Sequence, residues 1–187
     1  NAIQWSKIFL DNQSSSIFST NNVEIPSILF PMETIFENYI ANKLVNIIQE
    51  KSYNQLTIKV QDNSCSIFSS ISLNNIKVDN NILRIRPDIV IKNKTTKEIF
   101  ILDTKWKRLV NDKGINYGIS QADMYQMYAY AKKYNTADIW VLYPKNRAMR
   151  DCDKISFDSG DGVTVSVFFV ALANIERSME ELLDILK

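Results

Sequence analysis

The sequence predicts an α/β fold built on a central mixed sheet, and three observations carry that prediction. Residues 87–92 (PDIVIK), 98–106 (EIFILDTKW) and 138–143 (DIWVLY) are apolar on both faces, as strands covered from two sides are. Helical periodicities alternate with these runs instead of forming a separate block. A chain of 187 residues also buries roughly 70% of the surface its unfolded form exposes, enough for one substantial core.

The elements follow in order. Residues 2–10 are expected to form a short helix, and the Ser- and Asn-rich stretch 11–24 (DNQSSSIFSTNNVE) a loop. Pro31 opens a strong helix, because its missing N–H costs nothing in the first turn. Ile35, Phe36, Tyr39, Ile40, Leu44, Ile47 and Ile48 follow as one apolar stripe, and Glu33 suits the positive end of the helix. Residues 55–60, 65–71 and 82–86 read as strands with polar turns between them. NKTTK (93–97) joins the two apolar runs 87–92 and 98–106. Residues 119–134 form a helix with Met124, Met127, Tyr128 and Ala131 on one face. Pro144 stops the strand 138–143, residues 163–170 (VTVSVFFV) add another, and 174–186 form a final amphipathic helix.

Composition narrows the function. With 45% hydrophobic residues, four Gly and four Pro, the chain is neither disordered nor of low complexity. Two cysteines, Cys65 and Cys152, are too few for a disulfide framework, so a reducing, cytoplasmic setting is expected. No run approaches the ~18–20 apolar residues of a membrane span, and no secretory signal is visible. The chain begins at Asn1 without an initiator methionine, as a fragment or a trimmed domain would. Histidine is absent, which excludes Ser-His-Asp and Cys-His catalysis, histidine-ligated zinc and histidine general bases. The formal net charge of +1 hides a local bias: residues 84–113 hold nine Lys/Arg against four Asp/Glu. Such a bias is either a solvated face or a strip for an anionic partner.

The chemistry concentrates in the hairpin 87–106. If Thr95 and Thr96 form the tip of its turn, paired residues have numbers that sum to 191, and Asp88 stands opposite Asp103. Opposed residues of an antiparallel pair have Cβ atoms roughly 4.5–5.5 Å apart. Alternation then places Lys105 on the face of Asp103, with Thr104 pointing away. A one-residue slip would send Asp88 to the other face. Two facing carboxylates repel and need compensation. Lys105 alone supplies part of it, as a structural ion pair. A divalent cation does more, and oxygen ligands with open water positions suit Mg²⁺, or Mn²⁺, better than zinc.

RPD (86–88) followed by LDTK (102–105) resembles the PD-(D/E)xK nuclease signature through Pro87, Asp88, Asp103 and Lys105. Around it, LFPMETIFENYI (29–40), LRIRPDIVI (83–91), FILDTKWKRL (100–109), DMYQMYAYAKKY (123–134) and VLYP (141–144) occur in this order. Together they resemble McrC-like nuclease subunits of McrBC-type restriction systems over residues 29 to 144. The resemblance implies a restriction-endonuclease-like domain over 29–187, preceded by an N-terminal helix and loop segment at 1–28. It implies a subunit that cleaves DNA when an AAA+ GTPase assembles on it, with GTP entering only through that partner. The N-terminal segment with which such subunits engage the GTPase is expected to be missing from a chain of this length.

The resemblance also assigns roles. Asp88 and Asp103 hold the metal, and Lys105 positions or activates water. Glu37 on the first long helix supports the metal or its water, unless it is a solvent-facing Glu beside the apolar stripe. Gln126 and Tyr130, four apart on one helical face, contact DNA or brace the lysine; otherwise they are a polar seam between helix and sheet. Arg86, Lys107 and Arg108 are candidate phosphate contacts, as is Arg84, although Arg86 would also neutralise a neighbouring acid. Trp106 and Tyr143 read as packing residues. The function expected is thus Mg²⁺-dependent hydrolysis of DNA phosphodiesters within a GTP-dependent restriction system. Its rivals are a silent nuclease-fold module that stimulates a GTPase, and an autonomous repair or junction nuclease of the same fold.

Overall fold

The computed structural model describes residues 15–17, 25–27, 30–74, 76–150, 152 and 154–186. The chain divides into two compact units, Asn1–Met32 and Glu33–Lys187. In the first, β1 (Ser15–Ile17) pairs antiparallel with β2 (Ile25–Ser27). Strand at 15–17 corrects the loop expected there: backbone pairing overrides the poor strand propensity of the Ser-rich segment. The helix expected at 2–10 lies outside the described residues, as does the rest of the loop.

Helix α1 (Met32–Glu50) starts directly after Pro31 and carries Glu33 in its first turn. Phe36, Ile40, Ala41, Leu44, Ile47 and Ile48 are buried. Ile35 and Tyr39, expected in the stripe, are exposed, because each lies about 100° round the helix from the Phe36–Ile40 line.

The strands β3 (Leu56–Val60), β6 (Ile89–Asn93), β7 (Ile99–Thr104), β8 (Asp138–Pro144), β9 (Ser156–Asp158) and β10 (Thr164–Val170) form a six-stranded sheet ordered β3-β6-β7-β8-β10-β9. β7, β8 and β10 run parallel, whereas the β3–β6, β6–β7 and β9–β10 pairs are antiparallel. This is the mixed sheet that the sequence predicts, with β9 added at an edge too short to show a pattern. Strands β4 (Ser66–Leu73) and β5 (Ile76–Arg84) form a separate two-stranded sheet. β5 begins well before the expected residue 82 and ends two residues short of 86. Its Asp79, Asn80 and Asn81 are poor strand formers, but Asp79 pairs with Ser70 and Ile82 with Phe68, so the strand continues across the irregularity between them.

Helices α2 (Gln121–Tyr134) and α3 (Ile175–Ile185) complete three layers. On one face of the sheet, Ile89, Ile91, Phe100, Leu102, Trp140 and Leu142 pack with the buried sides of α1 and α3. On the other, Val90, Ile101, Ile139, Val141 and Tyr143 pack with Met127, Tyr130, Ala131 and Tyr134 of α2. Tyr128, expected on the buried face of α2, is exposed and donates its hydroxyl hydrogen to Asp161 Oδ2 at 2.6 Å. Ser120 caps the helix by accepting the N–H of Asp123. Among the described residues, no helix is long and apolar enough to cross a membrane.

Candidate active site

The β6–β7 hairpin sets the site. Asn93 Oδ1 accepts the N–H groups of Thr95 and Thr96, which tightens the turn. Ile89 then pairs with Leu102, Val90 with Ile101, Ile91 with Phe100 and Lys92 with Ile99. Every pair sums to 191, the predicted register, and the paired series ends at Ile89 and Leu102, one residue short of Asp88 and Asp103. Burial on both faces enforces this: each of these isoleucines, if displaced to solvent, forfeits about 1.5–3 kcal/mol.

Asp88 lies one residue before β6 and closes the end of β7. Its Oδ2 accepts both the N–H and the hydroxyl of Thr104, each at 2.7 Å. Gln61, in the left-handed region at φ 51°, donates its own N–H to the Asp88 carbonyl at 2.7 Å. Gln61 also donates through Nε2 to Glu37 Oε1 at 2.7 Å. One glutamine thus fixes the backbone of one acid and the carboxylate of another. Burial pushes the Asp88 carboxyl upward, the two Thr104 hydrogen bonds oppose that, and the charge of Glu37 adds to the rise.

Asp103 is 1% exposed. Burial first, then the charge of Asp88, pushes its carboxyl up to about 7 against the pull of Lys105. Its Oδ2 meets the Lys105 ammonium as an ion pair, yet among the described residues no donor satisfies that oxygen in good hydrogen-bond geometry. Burial acts to lower Lys105, but the neighbouring Asp103 charge overrides it and the ammonium is held above its ordinary value.

A polar relay braces this lysine. Lys105 Nζ donates to Gln126 Oε1 at 3.2 Å, Gln126 Nε2 donates to the Tyr130 hydroxyl at 2.8 Å, and that hydroxyl donates to the Arg86 carbonyl at 3.1 Å. Lysine has no acceptor, so the amide oxygen must face it and the amide nitrogen must face the tyrosine. Burial, with the charges of Asp103 and Asp88, raises the Tyr130 hydroxyl, which stays protonated. The Gln126–Tyr130 pair is therefore a seam between helix and sheet that ends on Lys105.

A cleft of about 260 Å³ opens beside these groups, lined by Glu33, Glu37, Asp88, Lys105, Lys107 and Asp123 together with Thr104 and Trp106. Asp103 does not line it; its partner Lys105 does. Among the described residues no three acids or cysteines converge as a ready metal cage. The donor set still fits a hard cation. Mg²⁺ is commonly held by one or two carboxylates plus waters and a substrate phosphate, and the carboxylates of Asp88 and Glu37 line the cleft.

The other expected residues fall differently. Lys107 forms a 2.6 Å ion pair with Asp123, so its charge is engaged within the cleft wall. Arg84, Arg86 and Arg108 point to solvent. Trp106 stacks at a tilt on Phe36, ring centroids 5.4 Å apart, as a packing residue of the α1 layer. Tyr143 is buried, but its hydroxyl lacks a hydrogen-bond partner among the described residues. Thr104, expected to point away from the acids, instead donates its hydroxyl to Asp88 Oδ2, because Asp88 lies past the end of β6 and reaches across to it; sequence reasoning missed Gln61 and Asp123. Asp123 had a signal: with Gln126 and Tyr130 it repeats at three- and four-residue steps on one face of α2. Gln61 had none, because only folding brings it to Glu37.

Compared with known proteins, the chain matches the family model for the McrBC 5-methylcytosine restriction system component over residues 1–144. No curated protein matches it.

Proposed function

The chain belongs to the McrBC 5-methylcytosine restriction system component family, and from that premise we propose that it is the DNA-cleaving subunit of such a system. It would be a Mg²⁺-dependent endodeoxyribonuclease of the PD-(D/E)xK type, acting with an AAA+ GTPase partner that supplies the GTP dependence. The observation that supports this reading is the Lys105–Asp103 ion pair beside Asp88, which lies one residue beyond the paired series of β6 and β7.

Asp88 and Asp103 would hold Mg²⁺, or Mn²⁺, with Glu37 supporting from α1. When bound, the cation supplies Lewis-acid polarisation of a phosphoryl oxygen and lowers the pKa of its water. The chain's own residues do the rest. Thr104 and Gln61 fix the Asp88 carboxylate and backbone. Lys105 is protonated at neutral pH because Asp103 holds it so. It therefore serves as a donor that orients the attacking water and offsets charge on the pentacovalent phosphorus, and not as the base. Gln126 and Tyr130 keep its ammonium in place. In hydrolysis, the water oxygen bonds to phosphorus, one P–O ester bond breaks, and the leaving oxygen takes up a proton.

One observation favours a second reading. Asp103 is 1% exposed and does not line the cleft, as expected of a silent module that only bridges or stimulates the GTPase. Plasmid cleavage by the purified complex with its GTPase decides. The nuclease reading expects Mg²⁺- and GTP-dependent cutting that Asp103→Ala abolishes. No cutting by the wild-type complex indicates the silent module; cutting without partner or nucleotide indicates an autonomous nuclease.

A further inference from the structure

A second cleft, of about 370 Å³, lies at the carboxyl ends of β8 and β10 and is lined by Lys145, Asn146, Arg147 and Arg150, with residues 171–173 as its other wall. We infer that this cleft seats a backbone phosphate of the DNA strand, a few nucleotides from the bond that is cut. The inference rests on the DNA-cleaving reading for its substrate, but on separate residues for its evidence.

Charge is the first argument. Lys145, Arg147 and Arg150 are all exposed. Among the described residues, none of the three forms an ion pair with a carboxylate. Residues 145–154 hold four Lys/Arg against two Asp, in a chain whose formal net charge is only +1. Elsewhere the lysines near the active site are committed, Lys105 to Asp103 and Lys107 to Asp123. Arginine's planar fork matches two oxygens of a phosphate, and two such forks face one cleft here.

Framework is the second. Asn146 caps the short 3-10 turn Arg147–Met149 by accepting the N–H of Ala148, while its Nδ2 donates to the Leu109 carbonyl at 3.0 Å. Met149 is buried beneath the turn, and the Lys145 N–H donates to the Val170 carbonyl at 2.8 Å. The cations thus project from an anchored turn.

Position is the third. β7, β8 and β10 are parallel, so the cleft and the Asp103–Lys105 pair lie at the same end of the sheet. Ligands of open α/β sheets bind outside the carboxyl ends of their strands. Leu142 pairs with Thr104, and Lys145 is three residues further on, ~10 Å along an extended chain. Phosphates of one DNA strand recur every ~3.4 Å along the helix axis, so a strand crossing the active site has others within reach of this cleft. An acidic surface of the GTPase is the competing occupant, and it has no reason to lie beside the scissile phosphate.

The test is binding of a fluorescent DNA duplex to the full chain in EDTA, across a salt series, for wild type and the triple variant Lys145→Ala/Arg147→Ala/Arg150→Ala. The expected result is roughly tenfold weaker binding and a salt slope shallower by about 1, the loss of one neutralised phosphate. The loss should be the same for unrelated duplex sequences. Arg147→Lys/Arg150→Lys, which keeps the charge, should recover most of the slope. Equal affinity and slope in the triple variant, or no DNA binding by the wild type, would overturn the inference. So would a triple variant that binds DNA normally but no longer assembles with the GTPase, which would assign the cleft to the partner. Because no cleavage is read, failure of the nuclease reading leaves a distinct signature: DNA binding that depends on this cleft, with no cutting in the Mg²⁺ assay.

Discussion

The β6–β7 and β4–β5 hairpins are both antiparallel, yet they hold register differently. β6 and β7 pair in an unbroken series, with Ile89, Val90, Ile91, Ile101 and Leu102 all fully buried. β4 and β5 shift register between Phe68 and Ser70, and Phe68, Ile71, Ile76 and Leu83 are exposed. Slippage is costly where both faces are covered and cheap where they are not. The candidate active site is built on the first kind of hairpin, where the apolar residues fix the register that leads up to the two acids.

The largest effect should come from the core of that hairpin. Ile101→Ala is expected to destabilise the protein by about 2–5 kcal/mol, and Ile71→Ala in the other hairpin by less than about 1 kcal/mol. Urea denaturation of both variants measures the contrast; equal losses would break it.

A second effect concerns pH in the metal-free protein. The Asp103 carboxyl is raised from 3.8 to about 7, so between those values the folded chain holds a proton that the unfolded chain has released. Stability therefore falls as pH rises through this window. Melting temperatures of wild type and Asp103→Asn across the same range should converge at the acid end and separate toward pH 7, with the wild type losing ground.

Next is the relay on Lys105. Tyr130→Phe removes a buried hydroxyl that ties Gln126 to the Arg86 carbonyl, and should cost about 1 kcal/mol of stability. Cleavage by the complex should also drop about tenfold as the ammonium loses its brace, on the order of 1.4 kcal/mol of barrier. Tyr128→Phe, two residues earlier on the exposed side of the same helix, should leave cleavage unchanged.

The smallest effect should be at Lys107. Its pair with Asp123 is partly buried, with the lysine end open to solvent, so Lys107→Ala should cost about 1 kcal/mol and be less felt at high salt, as thermal melts at two ionic strengths would read.

The same contrast explains what was legible in the sequence. Two apolar runs and a short polar turn carried enough information to fix the β6–β7 register, because burial allows one. Helix α1 was legible from Pro31 onward, although Ile35 and Tyr39 widened its stripe beyond what is buried. β5 was not, because Asp79, Asn80 and Asn81 read as a turn, and only the pairing of Asp79 and Ile82 on either side with β4 carries the strand through them. The hidden parts of the site are long-range: Gln61 reaches Glu37 across 24 positions, and Lys107 reaches Asp123 across 16. The cleft of Lys145, Arg147 and Arg150 is hidden differently, since three cations interleaved with Asn146, Ala148 and Met149 have no periodicity to mark them.

The claim on which the functional account depends is that Asp88 and Asp103 jointly take a divalent cation beside a phosphate. Titration of Mn²⁺ into the full chain with a DNA duplex present, followed by water-proton relaxation, measures this directly. A saturable Mn²⁺ site that disappears in the Asp88→Asn/Asp103→Asn variant, while that variant stays folded and DNA-bound, is the result expected. The same Mn²⁺ occupancy in both proteins would contradict the account.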